Sequence, residues 1–323
     1  MAETPTAAWP HEAFTECALA LPDRREGKVR VSYALAGGRR LFVTTDRLSA
    51  FDRVLAGVPY KGQALNQLAA WWFCNTADIV ANHFVETPDP NATVALAAQT
   101  LPVEVVVRGH ITGVTSTSLW RLYADGARVL YGHTLPDGMR KNEPLPRPLV
   151  TPTTKAEAGT GHDTPITCAE VAERGLVAAH VWDEVQAAAL ALFDRGRTIA
   201  AQAGLILADT KYEFGIGADG QVLLIDEMHT PDSSRYWIAA DYAERLSAGR
   251  EPESLDKEPV RRALADAGYT GDGAPPPLDD EVWTATSRRY VEAYERLTAT
   301  PFVPGAYPVL PRLVANLQEH DLL

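Results

Sequence analysis

One stretch of the sequence places side chains that could act together. LILADTKYEFG at 205–215 and LIDEMHTPDSSRYW at 224–237 read as two β-rich runs joined by Ala218-Asp219-Gly220-Gln221, and Asp-Gly signals a two-residue hairpin turn. With Asp219 and Gly220 as the central turn residues, Glu213 is expected directly across from Asp226 on one face. Like charges so opposed destabilise a sheet and call for a compensating cation, and hard carboxylate oxygens suit Mg2+. Period-two alternation brings Asp209 and Lys211 onto the face of Glu213, so acid, base and acid run in a row. A bulge at Gly215 or Gly217 is the alternative, and it would leave these groups as solvent-facing charges of an edge hairpin.

The remaining chemistry-bearing groups are cations near small or polar residues: Lys28, Arg30, Lys61, Arg108, Lys155, Lys211 and Arg235. Such groups suit phosphate, Arg through a bidentate fork and Lys as a point charge, although each taken singly reads first as a solvated surface residue. No GxxxxGK[ST] loop occurs, and no GxGxxG follows a strand, so the common nucleotide signatures do not apply. His110, His133, His162 and His229 lie in the same regions and read first as hydrogen-bonding surface residues. Ser116, Ser118, Ser233 and Ser234 stand in no GxSxG context, so no nucleophilic triad is visible.

Several elements must position these groups. From Lys28, Val29, Val31, Tyr33 and Leu35 alternate with Lys28, Arg30 and Ser32, predicting a half-buried strand paired across a long loop at Gly37 and Gly38 with a second strand at 41–45. Leu65, Leu68, Ala69 and Trp72 recur at helical spacing, and the tryptophans read as core. PVEVVVRG at 102–109 predicts a strand with Arg108 at its exit. The Pro-, Gly- and Thr-rich stretch from Tyr131 to Pro165 reads as a long binding loop or lid. A helix over roughly 180–203 follows, with Val181, Val185, Ala188, Leu192 and Ile199 on one side and Gly204 to stop it. Beyond the Pro-rich linker at 274–278, Trp283, Tyr290 and Leu297 predict C-terminal helices packed as an appendage.

With 323 residues and 46% hydrophobic content, the chain can bury cores for about two domains. A net charge of -12 repels a phosphate backbone, which argues against nucleic acid as a partner. Cys17, Cys74 and Cys168 are far apart and odd in number, as reduced thiols are. The absence of both a targeting segment and an apolar run of about 18 residues predicts a cytoplasmic protein with no membrane partner.

Taken as a set, GKVR at Gly27, TDRLSAFD at Thr45, PVEVVVRG at Pro102, TPTTKAE at Thr151, LILADTKYEFG at Leu205, LIDEMHTPDSSRYW at Leu224 and SLDKEPVRRAL at Ser254 resemble the SAICAR synthetases, the phosphoribosylaminoimidazole-succinocarboxamide synthases. The likeness spans about residues 20–265, with the segments in the family's order. It implies an α+β fold of two domains on mostly antiparallel sheets with an ATP cleft between them, plus C-terminal helices. The boundaries it suggests are 1–111, an N-terminal domain carrying the GKVR strand; 112–265, binding ATP, Mg2+ and substrate; and 266–323, helical.

The resemblance also implies a reaction: ATP phosphorylates the carboxylate of carboxyaminoimidazole ribonucleotide, and the amine of L-aspartate displaces phosphate to form an amide. A carboxylate is a poor electrophile, so an acyl phosphate provides a leaving group, and cations must neutralise the transferred phosphoryl group. By this likeness Glu213 and Asp226 hold Mg2+, while Lys28 and Arg30 lie at the ATP phosphates and Lys211 between nucleotide and substrate. Lys211, Asp209, Lys155 and Asp163 make the catalytic set, the last two near the reacting carboxylate and the incoming aspartate. Asp52, Arg108, Thr115, Ser116, Ser234 and Arg235 contact the ribonucleotide. Two positions depart from the family pattern: Val31 follows GKVR where an acid is usual, and Val114 stands where a phosphate-binding serine is expected. Thr115 or Ser116 is the expected substitute for that contact. Val114 motivates one alternative, a paralogous ligase for another amino acid or azole carboxylate; a non-catalytic nucleotide-binding scaffold is a third reading, opposed by the joint presence of Lys28, Lys211, Glu213 and Asp226. Small molecules are the implied partners, and the sequence is compatible with a monomer or a homo-oligomer.

Overall fold

The computed structural model describes residues 12–50, 53–114, 118–155, 164–269 and 273–323. Among these, residues within Met1–Ala70, Val85–Ala95 and Lys257–Leu323 form unit 1, and those within Trp71–Phe84 and Leu96–Asp256 form unit 2. Unit 1 opens with β1 (Arg25–Glu26), β2 (Arg30–Leu35), β3 (Arg39–Thr44), β4 (Arg47–Ala50), β5 (Arg53–Gly57), most of α1 (Lys61–Cys74), β6 (Phe84–Asp89) and β7 (Ala92–Leu96). Unit 2 holds β8 (Gln99–His110), α2 (Leu119–Ala124), β9 (Val129–Leu130), β10 (His133–Thr134), β11 (Pro144–Thr154), β12 (Thr164–Pro165), α3 (Cys168–Glu173), α4 (Ala179–Gln202), β13 (Leu205–Ile216), β14 (Val222–Ile225), β15 (Ser234–Ile238) and α5 (Tyr242–Ser247). Unit 1 resumes with α6 (Glu258–Asp266), α7 (Asp280–Thr298) and α8 (Val309–Glu319).

In unit 1 a five-stranded sheet runs in the order β1-β2-β3-β7-β6. Val31 and Tyr33 of β2 and Leu41 and Val43 of β3 are fully buried, as period-two alternation requires. Lys28 and Val29 precede the strand, because the Gly27 N–H donates to the Arg30 carbonyl at 2.8 Å and closes a turn over them. The β2–β3 link is a tight turn through Gly37 and Gly38, at φ 73° and 68°, in place of the long loop expected. The C-terminal helices are part of the unit 1 core and not an appendage. Val309, Leu313 and Leu317 of α8 pack on Val31, Tyr33, Leu41 and Val43, and Tyr290 of α7 joins Ala64, Leu65, Val260 and Leu264. Each such aliphatic side chain contributes about 1.5–3 kcal/mol on burial, so the helices cannot detach without exposing the sheet. This return of the chain is why unit 1 includes segments that the consecutive boundaries 1–111, 112–265 and 266–323 keep apart.

Unit 2 is built on a sheet ordered β12-β11-β8-β13-β14, with β15 also paired to β13. α4 packs on β13, β8 and β11 and lies within a residue of its predicted ends. It buries Trp182, Val185, Ala188, Leu192 and Phe193, and Gly204 follows it at φ 70°. The stretch expected as loop from Tyr131 contains the eleven-residue strand β11, with Pro144, Pro146, Pro148 and Pro152 in it. Proline withholds a ladder donor, but β11 has only the two-residue β12 on its outer side, and its pairing with β8 is interrupted between Pro144 and Leu149. Among the described residues, no helix is long and apolar enough to cross a membrane.

Candidate functional site

The charged side chains collect on one face of the unit 2 sheet. β13 pairs Asp209 with Arg108, Lys211 with Val106 and Glu213 with Glu104 on β8, and pairs Asp209 with Arg235 on β15. Alternation therefore stacks Asp209, Lys211 and Glu213 beside Arg108 and Glu104. α4 covers the other face: a Cβ on Gly109, next to Arg108, would lie 3.1 Å from the Phe193 ring.

Two linked clusters result. Lys211 Nζ lies 2.5 Å from Glu213 Oε1, 3.2 Å from Glu104 Oε1 and 3.9 Å from Asp226 Oδ2. Lys155, at the end of β11, bonds the second oxygen of Glu213. Burial alone would lower the Lys211 pKa, but the carboxylates of Glu213, Asp226 and Glu104 outweigh it and raise the pKa well above its usual value. The surrounding carboxylates thus hold Lys211 as a cation, suited to binding a phosphoryl group. In the second cluster, Asp209 Oδ2 accepts from Arg108 Nη1 at 3.4 Å and also from Arg235 Nη1, and Arg108 Nε donates to Thr151 Oγ1 at 2.9 Å. The carboxylate holds two guanidinium groups side by side, an arrangement suited to a doubly charged anion.

The hairpin register differs by one residue from expectation: Glu213 faces Ile225 and not Asp226. The turn has three residues, with the Gly217 N–H on the Gln221 carbonyl at 2.9 Å and Gly220 at φ 83°, the geometry of a type I turn closed by a left-handed residue. Asp226 instead follows the end of β14 in the left-handed region, at φ 70°, and reaches Lys211 from the loop.

Arg108, Lys155, Asp209, Lys211, Glu213, Asp226 and Arg235 come together. Ser234 does not: its hydroxyl shares a 2.8 Å hydrogen bond with Thr210 and is buried away from the charges. Lys28 and Arg30 belong to unit 1, where Lys28 is exposed. Lys61 is fully buried in the unit 1 core, with Nζ 5.3 Å from the Tyr290 ring centroid. Asp52, Thr115, Ser116, Asp163 and His162 lie outside the described residues. Val114 is 58% exposed, beside Gly113, where a Cβ would stand 2.4 Å from Ser118 Cβ and 3.7 Å from Arg235 Nη2. His110 and His229 are not surface groups; both are buried, and burial pushes them down to about 4 and about 3. Glu104 was missed, although its spacing of four from Arg108 in an alternating strand places both on one face.

Glu213 and Asp226 offer hard oxygens that converge from two elements, so the donor set fits a small divalent cation. Among the described residues no group of three or more His, Cys, Asp or Glu side chains is arranged to hold a metal by itself. Mg2+ is commonly bound by one or two carboxylates, with water and phosphate oxygens completing its shell.

Comparison with known proteins adds an independent line. The SAICAR synthetase family profile matches residues 23–276. The phosphoribosylaminoimidazole-succinocarboxamide synthase of Legionella pneumophila (strain Lens) is 48% identical over 310 residues, 94% of this chain and 97% of that one. The chloroplastic phosphoribosylaminoimidazole-succinocarboxamide synthase of Vigna aconitifolia is 53% identical over 241 residues, 75% of this chain and 70% of that one. Among solved structures, SAICAR synthase from Saccharomyces cerevisiae complexed with SAICAR aligns with a TM-score of 0.77 at 31% identity, covering 90% of this chain and 99% of that one.

Proposed function

The chain belongs to the SAICAR synthetase family, and from that premise we propose that it is an ATP-dependent carbon–nitrogen ligase of de novo purine biosynthesis. It joins the carboxylate of carboxyaminoimidazole ribonucleotide to the amine of L-aspartate, giving SAICAR, ADP and phosphate. The observation that carries this reading is the shared face of Lys155, Lys211, Glu213 and Asp226 beside the Arg108–Asp209–Arg235 cluster. One cluster suits a metal-bound polyphosphate and the other a sugar phosphate, which an acyl-phosphate route requires next to each other.

In this reading Glu213 and Asp226 hold Mg2+, which supplies charge neutralisation for the transferred phosphoryl group. Lys211 and Lys155 stabilise negative charge on the phosphoryl oxygens and the reacting carboxylate. Arg108 and Arg235 bind the ribonucleotide phosphate, and in its absence Asp209 holds them side by side. Lys28 and Arg30 are assigned to nucleotide phosphates, Asp52, Thr115 and Ser116 to the ribonucleotide, and Asp163 to the incoming aspartate. Ser234 is dropped from the set because Thr210 takes its hydroxyl. The protein works in the cytoplasm, in keeping with its three unpaired cysteines. Identity of 48% across 94% of the chain supports the ligase over a paralogous ligase or a silent scaffold.

The test is direct. Incubated with the ribonucleotide, Mg2+-ATP and L-aspartate, the protein should form SAICAR and ADP in equal amounts. ADP formation only with another amine or azole carboxylate would transfer the reading to the paralogous ligase, and tight ATP binding without turnover would overturn catalysis altogether. Glu213→Gln and Asp226→Asn should each abolish turnover and weaken metal-dependent ATP binding; unaltered magnesium dependence contradicts the ligand assignment.

A further inference from the structure

β14 and β15 pair in tandem along one edge of β13, β14 with Glu213–Ile216 and β15 with Leu205–Thr210. The eight residues 226–233 between them leave the ladder beside Lys211 and Tyr212, and this detour carries Asp226. Such a loop has no strand partners to set its path, yet two of its non-glycine residues, Asp226 and His229, adopt left-handed backbone at φ 70° and 53°. Conformations of this kind persist where the surroundings over-determine them.

The surroundings here converge on His229. Its Nε2 shares a hydrogen bond with the hydroxyl of Tyr212, the residue between Lys211 and Glu213, whose side chain points through the sheet to the buried face. The ring lies 4.6 Å from the Trp72 ring, and its carbonyl accepts from the Tyr236 hydroxyl at 2.8 Å. α4 makes room for it with a glycine: a Cβ on Gly196 would stand 1.9 Å from His229 Cε1. The Ser233 carbonyl, at the far end of the loop, accepts from the Lys211 N–H at 2.9 Å. With Met228, whose sulfur accepts from Thr76 Oγ1 at 3.5 Å, His229 anchors the loop in the core, three residues from the acid on the functional face.

We propose that the His229–Tyr212 pair is a positioning element that sets Asp226 against Lys211 and Glu213, and so tunes the affinity of this site for a divalent cation. The inference rests on the reading that Glu213 and Asp226 hold that cation. His229 acts through the loop backbone and Tyr212 through His229; neither touches the reactants. The Arg108–Asp209–Arg235 cluster depends on β8, β13 and β15 pairing and on Thr151, so it should not feel the loss of the pair.

Tyr212→Phe removes only the hydroxyl, and Gly196→Ala displaces the ring from the other side. In the full-length protein, calorimetry with Mn2+ and ADP should give a dissociation constant about tenfold weaker for either variant, the usual scale for partners behind a metal ligand. The KM for the ribonucleotide should stay within about twofold of the parent, a split that general loss of folding would not produce. Unaltered Mn2+-ADP affinity in a folded variant overturns the proposal, as does an equal loss of both affinities; if Tyr212→Phe fails to fold, Gly196→Ala carries the test by the same criteria. Glu213→Gln in the same titration separates the two levels: if it leaves Mn2+ dependence intact, the metal assignment itself has failed, whatever Tyr212 does.

Discussion

Asp209→Asn is the perturbation that most directly tests how the anion pocket is held. The Asp209 side chain is 9% exposed, between guanidinium groups of Arg108 and Arg235 that are 11% and 20% exposed. At 3.4 Å, the Arg108 pair alone has a gross attraction of about 5 kcal/mol at an effective dielectric of about 20. Most of that offsets desolvation, but removing one partner strands the others, which typically costs about 3–5 kcal/mol. Residual water around Arg235 sets the expectation at the lower end, about 3 kcal/mol. Inorganic phosphate should then do for the variant what the carboxylate does for the parent. At 100 times its dissociation constant it should restore about 2.7 kcal/mol, and less in the parent at the same concentration, where it competes with Asp209. The assay is urea unfolding of both proteins with and without phosphate. Equal stability of the two proteins, or equal stabilisation of both by phosphate, refutes the reasoning.

Three further outcomes are expected. Arg312→Ala should destabilise unit 1 by about 3–5 kcal/mol in urea unfolding, because the fully buried Asp89 loses a two-point ion pair at 3.0 and 3.1 Å; a loss under about 1 kcal/mol would mean that Asn316 suffices. Lys211→Met should abolish turnover in the amide-forming assay while the far-UV circular dichroism stays that of the parent; turnover within about tenfold of the parent contradicts its role at the phosphoryl group. His110 and His229, held down to about 4 and about 3 by burial, should make the fold acid-sensitive. Between about pH 6.5 and 4 the unfolded chain binds protons that the folded chain refuses, so stability falls as pH falls, by up to about 1.4 kcal/mol per pH unit for each histidine. Burial raises the Asp46 carboxyl and acts in the opposite direction, so the measurement is the difference between parent and His110→Asn. Identical slopes would show that His110 does not contribute.

Several features were legible in the residue order because they depend on neighbours a few positions apart. Helical spacing and Gly204 define α4 to within a residue, and alternation alone puts Lys211 and Glu213 on one face with Tyr212 opposite. Features set by distant parts of the chain were not legible. A two-residue and a three-residue turn around Asp219-Gly220 differ by one step of register, and choosing between them takes the ladder and the left-handed Gly220. Asp226 reaches Lys211 although its expected partner slot is lost, because its loop turns back beside β13. His229 looks like a polar loop residue until Trp72, Tyr212 and Gly196, up to 157 positions away, enclose it. The C-terminal helices likewise show an apolar stripe in sequence, but only the folded chain decides that the stripe covers β2 and β3. Local periodicity determines which way a side chain points, and long-range packing decides what it meets there.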